Sequence, residues 1–222
     1  MTTVGIIGSG LIGGTVARLS VAAGHQVVLS NSRGPETLEE LAAELGPLAR
    51  AATAEQAAEA GDLAVVSIPV KAFSDVPVKP LAGQPVLDTG NYYPQRDGHI
   101  EELDTGVITS SGLLQRYLPE SQVVKVFNNI FFKHLRNLAR PSGADDRSAL
   151  PIAGDDPAAK ATVTAYLDSI GYDAVDAGPL AESWRQEPGA PVYGSPYGPF
   201  ADEMGTPADA AKIRVLLAGA HR

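Results

Sequence analysis

The sequence predicts an α/β fold built on a doubly wound, mostly parallel sheet with a C-terminal helical extension, and three observations lead there. Apolar strand signals alternate with helix signals along the 222 residues. The strand segments are near-continuous apolar runs, DLAVVSI at 62–68 being the clearest, as expected where helices cover both faces of a sheet. A glycine-rich turn joins the first strand to the first helix.

The elements follow in order. Val4–Ile7 reads as a strand, and Leu11–Ala23 as a helix closed by Gly24. His25–Leu29 is a second strand. Pro35–Leu45 is an amphipathic helix, with Leu38, Leu41, Ala42 and Leu45 on one face, Pro35 in its first turn and Gly46 at its end. A weak strand at Leu48–Ala51 and a short helix at Thr53–Ala60 precede the strong strand Asp62–Ile68. Gln84–Leu87 is a strand that runs into the polar turn Asp88-Thr89-Gly90-Asn91. Then come helix Ser111–Leu118, strand Gln122–Phe127 and helix Ile130–Ala139. The polar stretch Arg140–Ser148 is the best boundary. Beyond it lie strand Leu150–Ala153, helix Pro157–Ile170, strand Tyr172–Val175, an irregular segment from Pro188 to Phe200, and a helix from Pro207 to Ala218. The expected organisation is a nucleotide-binding part at 1–145 and an extension at 146–222 that continues the sheet and adds helices, within one structural domain.

Composition narrows the function. Lys and Arg number 17 against 26 Asp and Glu, a net charge of −9, which argues against nucleic acid or an anionic membrane as partner. The absence of cysteine excludes disulfides, thiolate-bound zinc, iron–sulfur clusters and thiol nucleophiles. No apolar run approaches the roughly 20 residues that span a bilayer. The first strand begins at Thr3 with no charged leader before it, so the expected location is the cytoplasm. His25, His99 and His221 lack metal-ligand spacing, and the paired acids Glu39-Glu40, Glu101-Glu102, Asp145-Asp146 and Asp155-Asp156 read as solvated faces or helix caps, so no metal is expected.

The sharpest motif is Gly8-Ser9-Gly10-Leu11-Ile12-Gly13, a GxGxxG between a strand and a helix. In that context Gly8 permits the tight turn, Gly10 lets a pyrophosphate touch the backbone, and Gly13 lets helix and strand pack closely. The free amides at the helix start, those of Leu11 and Ile12 among them, then face the phosphates. This predicts a Rossmann-type dinucleotide site. The second strand ends Leu29-Ser30-Asn31-Ser32-Arg33-Gly34, without the carboxylate that would hold ribose hydroxyls in an NAD site. Asn31, Ser32 and Arg33 instead suit a 2′-phosphate, and the arginine fork matches its geometry. The predicted nucleotide is NADP(H).

These residues resemble the family of NADP oxidoreductases that use the deazaflavin coenzyme F420. Ser32-Arg33 after the second strand, Ile68-Pro69 at a later strand end and Lys125-Val126-Phe127-Asn128 at another all match its pattern. The resemblance runs along most of the chain and is strongest over residues 1 to 135. It implies a Rossmann-like fold, NADPH binding, hydride transfer to or from a deazaflavin, and a homodimer. The chain departs from the pattern at Gly34-Pro35-Glu36, where some members carry further basic residues, which leaves Arg33 as the only nearby cation.

The other residues bear on the reaction. No tyrosine is followed by lysine four positions later, so a Tyr-x-x-x-Lys pair is absent, and there is little room for the helical second domain of a β-hydroxyacid dehydrogenase. Hydride transfer to a flavin-like ring asks for less, because the charge spreads over the heterocycle and positioning carries most of the catalysis. Ligands in such sheets bind beyond the carboxyl ends of the strands. Ile68 and Pro69 are therefore expected against the nicotinamide, with Asn91 and Asn128 as amide donors to an acceptor ring. Lys125 reads first as a strand lysine reaching the sheet edge and second as a site residue. His134 is a candidate substrate contact or proton partner. Lys133, Arg136 and Arg140 fall on one helical face, either complementing the helix dipole or docking the acidic tail that the resemblance implies. Trp184 and the Tyr193/Tyr197 segment are either a lid over the acceptor or a dimer strap. The alternatives to a deazaflavin acceptor are a flavin, a small imine or carbonyl substrate needing a proton donor such as Lys125 or His134, and a non-catalytic NADPH sensor. The partner in the enzymatic readings is a small-molecule redox acceptor.

Overall fold

A computed structural model describes all 222 residues. Eight strands form one sheet: β1 (Thr3–Ile7), β2 (Gln26–Ser30), β3 (Ala49–Ala51), β4 (Leu63–Val66), β5 (Pro85–Asp88), β6 (Gln122–Lys125), β7 (Ala149–Gly154) and β8 (Asp173–Asp176), in the order β3-β2-β1-β4-β5-β6-β7-β8. The order reverses between β1 and β4, and a ligand crevice forms at such a switch point. All pairings are parallel except β6 with β7, which run antiparallel through Val124–Gly154 and Lys125–Ala153. The extension therefore enters the sheet from the opposite end before resuming parallel pairing at β8.

The helices are α1 (Leu11–Ala22), α2 (Glu39–Leu45), α3 (Ala54–Ala60), α4 (Pro94–Asp97), α5 (Glu101–Asp104), α6 (Ser110–Tyr117), α7 (Phe132–Asn137), α8 (Pro157–Ser169) and α9 (Ala210–Ala218). Side chains alternate across the central strands. Val65, Leu87 and Val124 face the core that also holds Val16 and Ala17 of α1, while Ala64, Val66, Val86 and Val123 face Phe73, Leu81 and Leu114 on the other side. This two-sided burial is why the strands read as continuous apolar runs.

Three elements depart locally from expectation. The helix expected at Pro35–Leu45 is a 3₁₀ turn over Pro35–Leu38 followed by α2. The helix expected at Ile130–Ala139 is confined to Phe132–Asn137, because Phe127 adopts φ 65° and the chain is bent away before Phe131 can start a helix. The turn α4 and the turn α5 have too little apolar periodicity to be seen in sequence.

His25 joins the N-terminal strand to α8. The Thr2 amide donates to its Nδ1 at 3.2 Å, so Nε2 carries the proton and reaches Ser169 Oγ at 2.8 Å. Burial, followed by the nearby N-terminal charge, lowers its pKa. The native state thus favours the neutral ring and the unfolded chain binds more protons, so stability is lost as pH falls below the ordinary histidine value of about 6.5. Urea midpoints at pH 7.5 and 5.0 should differ in the wild type, and the difference should shrink in His25→Asn.

Candidate active site

Four helices begin under a side-chain cap. Thr53, Thr109, Asp156 and Asp209 accept from the amides of α3, α6, α8 and α9. Helix α1 has none: its N-cap is Gly10, with no acid in the first turn. Its opening amides are left for a ligand. The preceding turn is pinned to the end of β2, where the Gly8 and Ser9 amides and Ser9 Oγ all donate to the Ser30 carbonyl at 3.0–3.1 Å. Gly8 sits at φ 102°, and a Cβ there would stand 2.3 Å from the Ser67 oxygen. A Cβ on Gly13 would stand 2.0 Å from the Gly8 oxygen, whereas one on Gly10 would meet nothing within 4 Å. Close packing is required at two glycines, and open space for a phosphate lies above the third.

A cavity of about 330 Å³ opens beside this turn, lined by Gly8, Ser9, Gly10, Asn31, Ser32, Arg33, Ile68 and Pro69. Arg33 is exposed and its guanidinium has no partner in the chain. The Asn31 side chain shapes the turn: Oδ1 accepts from the amides of Arg33 and Gly34 at 2.9 and 3.0 Å, and Nδ2 donates to Thr37. Asp75 also lines this cavity, a carboxylate that nothing in the local sequence marked.

A second cavity, about 380 Å³, adjoins the first along α1, with Leu11 and Ile12 in its wall. Five aromatic side chains line it, Phe127, Phe131, Phe132, Phe200 and Tyr193, joined by Ile130, with Thr89, Asn91, Asn128 and Asn129 as the polar members. Segments remote in sequence meet here. The Tyr193/Tyr197 segment closes over the ends of β5 and β6, tied down by Asn129, which accepts from the Gly194 amide at 2.8 Å and donates from Nδ2 to Val192 O at 3.0 Å.

Several expected site residues serve other ends. Asn91 and Asn128 line the second cavity, but their amides are committed to each other and to the backbone: Asn91 Nδ2 to Asn128 O, and Asn128 Nδ2 to Asn91 Oδ1 and Gln186 O. Gln186 Nε2 occupies Asn128 Oδ1. They build the wall rather than offer free donors. His134 is fully buried, packed edge-on against Phe131, with Nε2 2.5 Å from the Asp202 carbonyl, and it does not line the cavity. Lys125 does not reach the sheet edge, because β6 lies between β5 and β7. Its fully buried ammonium donates to Gly90 O, Ser110 Oγ and Ser111 Oγ at 2.8–3.0 Å, with Asp88 at 3.6 Å and Glu187 at 3.8 Å. Of the basic stripe, Lys133 pairs with Glu203 and lines a groove with Arg18 and Arg136, whereas Arg140 pairs with Asp146 and turns to a different groove.

The fold is of the Rossmann type, with two adjoining cavities at the switch point of its sheet. Residues 3–92 match the family described as NADP oxidoreductase, coenzyme F420-dependent, which bears out the resemblance drawn from Ser32-Arg33 and Ile68-Pro69. The YjhV protein of Escherichia coli K12 is 43% identical over 53 residues, 24% of this chain and 39% of that protein, so the match spans well under half of this relative. Among solved structures, the hypothetical protein SMa0349 of Sinorhizobium meliloti aligns at a TM-score of 0.75 with 29% identity, covering 86% of this chain and 93% of that one. A protein of Arthrobacter sp. FB24, described as a candidate F420-dependent NADP reductase, aligns at 0.69 with 24% identity over 82% of this chain and 87% of its own. No helix is long and apolar enough to cross a membrane.

Replacing Arg33 by Ala should weaken NADPH binding and leave NADH nearly unaffected, reducing the preference by about tenfold to a thousandfold, as one or two charge-assisted bonds are worth. Paired fluorescence titrations with the two nucleotides check it, and an equal loss for both would move the phosphate elsewhere. Gly13→Ala should abolish binding of both nucleotides, because its methyl group has no room against the Gly8 carbonyl.

Proposed function

We propose that the chain transfers a hydride between NADP(H) and a deazaflavin ring such as that of coenzyme F420, with a flavin as the second acceptor. One observation carries the reading: an uncharged cavity with five aromatic side chains in its wall is lined by Leu11 and Ile12, the residues that follow Gly10 of the cavity containing Arg33. In this reading Gly8–Gly13, Asn31, Ser32 and Arg33 hold the adenosine phosphates, and Ile68 and Pro69 flank the nicotinamide half. Bound NADP(H) supplies the hydride; the chain positions a flat acceptor against it. A ring stacks on phenylalanine faces at little cost, and about 380 Å³ falls within the usual span of ligand sites.

The rival acceptors fit less well. A small carboxylated substrate would bring its charge into a cavity without a cation. The two proton donors expected for an imine or carbonyl substrate, Lys125 and His134, are both buried away from the cavity. A non-catalytic sensor has no use for an acceptor cavity beside the nucleotide. The groove beyond Leu11 and Phe132 holds Arg18, Lys133 and Arg136, of which Arg136 makes no ion pair, and it offers an exit for an anionic appendage on the ring. Residues 1–145 then act as the nucleotide part and 146–222 as the part that closes the acceptor cavity. A homodimer and a cytoplasmic location, implied by the family resemblance, belong to the same proposal.

The direct test is NADPH oxidation followed by absorbance with the deazaflavin, FMN, FAD and a panel of small carbonyls in parallel. Turnover should appear with the ring acceptors and be absent with the carbonyls; the reverse pattern would replace this reading with a carbonyl reductase. Arg136→Gln should raise KM for FMN by about two- to fivefold, as expected of an exposed ion contact, and leave that for riboflavin, which has no phosphate, unchanged.

A further inference from the structure

The polar atoms of the acceptor cavity are largely occupied. The amides of Asn91 and Asn128 are committed, and Asn129 donates to Val192 O and Tyr197. Two hydroxyls remain, those of Thr89 and Tyr193, and only the phenol is acidic enough to release a proton in catalysis. Tyr193 Oη lies 2.5 Å from Tyr93 Oη, linking the cavity to a second phenol on the loop after β5. Both side chains are half-buried. The Arg96 guanidinium stands 5.0 Å over the Tyr93 ring and is fixed there by Asp97 and by the Asn91 carbonyl.

We propose that Tyr193 is the proton donor to the reduced acceptor ring and Tyr93 its relay to solvent, a role that rests on the ring-acceptor reading above. Hydride arrival makes a new C–H bond on the acceptor, and the displaced π-electron pair takes up a proton at a ring nitrogen. That proton comes from Tyr193 Oη, whose O–H bond breaks as the N–H bond forms. Tyr93 Oη returns a proton to Tyr193, and solvent restores Tyr93. In the reverse direction the same pair carries the proton out. Burial, followed by the Tyr93 hydrogen bond, pushes the Tyr193 phenol up and so opposes early proton release, while Arg96 acts in the opposite sense and steadies the transient phenolate.

The test compares two acceptors. 5-Deazariboflavin needs a proton after hydride arrival; the N-methylacridinium cation becomes neutral on taking a hydride and needs none. In single-turnover reactions with NADPH, Tyr193→Phe should slow deazariboflavin reduction by about 10²- to 10⁴-fold and change acridinium reduction by no more than about twofold. Binding of deazariboflavin to the nucleotide-free variant, read by its fluorescence, should weaken by no more than about tenfold, the value of one hydrogen bond. Tyr93→Phe, which keeps the Tyr193 hydroxyl, should give a smaller slowing and a reduced solvent deuterium effect on deazariboflavin alone. Equal slowing with both acceptors, or none with deazariboflavin, overturns the role of Tyr193. A wild-type protein that reduces neither ring overturns the ring-acceptor reading itself, and this proposal with it.

Discussion

The structure turns on one close approach, the Cα of Gly13 against the carbonyl of Gly8. A methyl group at position 13 would lie 2.0 Å from that oxygen, well inside any tolerable contact. With hydrogen there, the first turn of α1 settles onto the end of β1 and its uncapped amides stand at the switch point of the sheet. Both cavities border Gly10, Leu11 or Ile12, so both take their shape from where that turn lies. A helix lifted by the thickness of a methyl group would move those amides off the end of β1 and reshape both cavities.

A second constraint lies beneath the acceptor cavity. Lys125 and Asp88 are fully buried at the ends of neighbouring strands, and moving two charges out of water is expensive unless every donor and acceptor is met. Here they are met. The ammonium has three oxygen partners; Asp88 Oδ2 accepts from Ser111 Oγ at 2.6 Å and Oδ1 from the Gly90 amide at 2.7 Å. Glu187 accepts from both the amide and the hydroxyl of Ser110 and draws the C-terminal extension onto the same cluster. The chemistry of Lys125 is thus structural: it fixes the Thr89–Asn91 turn, which lines the cavity, and ties it to the extension.

Much of this was legible in the sequence, and the part that was not has one cause. The glycine motif, Ser32-Arg33 and the alternation of strands and helices follow from local rules, because a βαβ unit places its own residues within a few turns of one another. The contacts of Lys125, Asn91, Asn128 and His134 were hidden for the opposite reason. Their partners are 15 to 68 positions away, at Ser110, Gln186 and Asp202, and no spacing rule reaches across that distance. Tyr193 carried a signal only as an aromatic residue in an irregular, glycine- and proline-rich segment, which left a lid and a dimer strap as equal readings. The antiparallel pairing of β6 and β7 was hidden for the same reason, since an apolar strand reads alike in either direction.

The acceptor cavity shows how these long-range contacts produce chemistry. Phe127 is held at φ 65°, a conformation unusual for a bulky side chain and costing on the order of 1–3 kcal/mol. The two asparagines that follow it offset that cost. Asn128 binds Gln186 and Asn91, and Asn129 binds Val192 and the Gly194 amide, so the kink, the turn after β5 and the covering segment hold one another in place. The amide groups that look like ligand donors are therefore the frame, and the aromatic rings they position are the surface a ligand meets. A cavity framed this way has no charged side chain in its wall, so shape and stacking are what it offers a ligand. The nearby free cations lie outside it, Arg33 in the neighbouring cavity and Arg136 in the groove beyond Phe132.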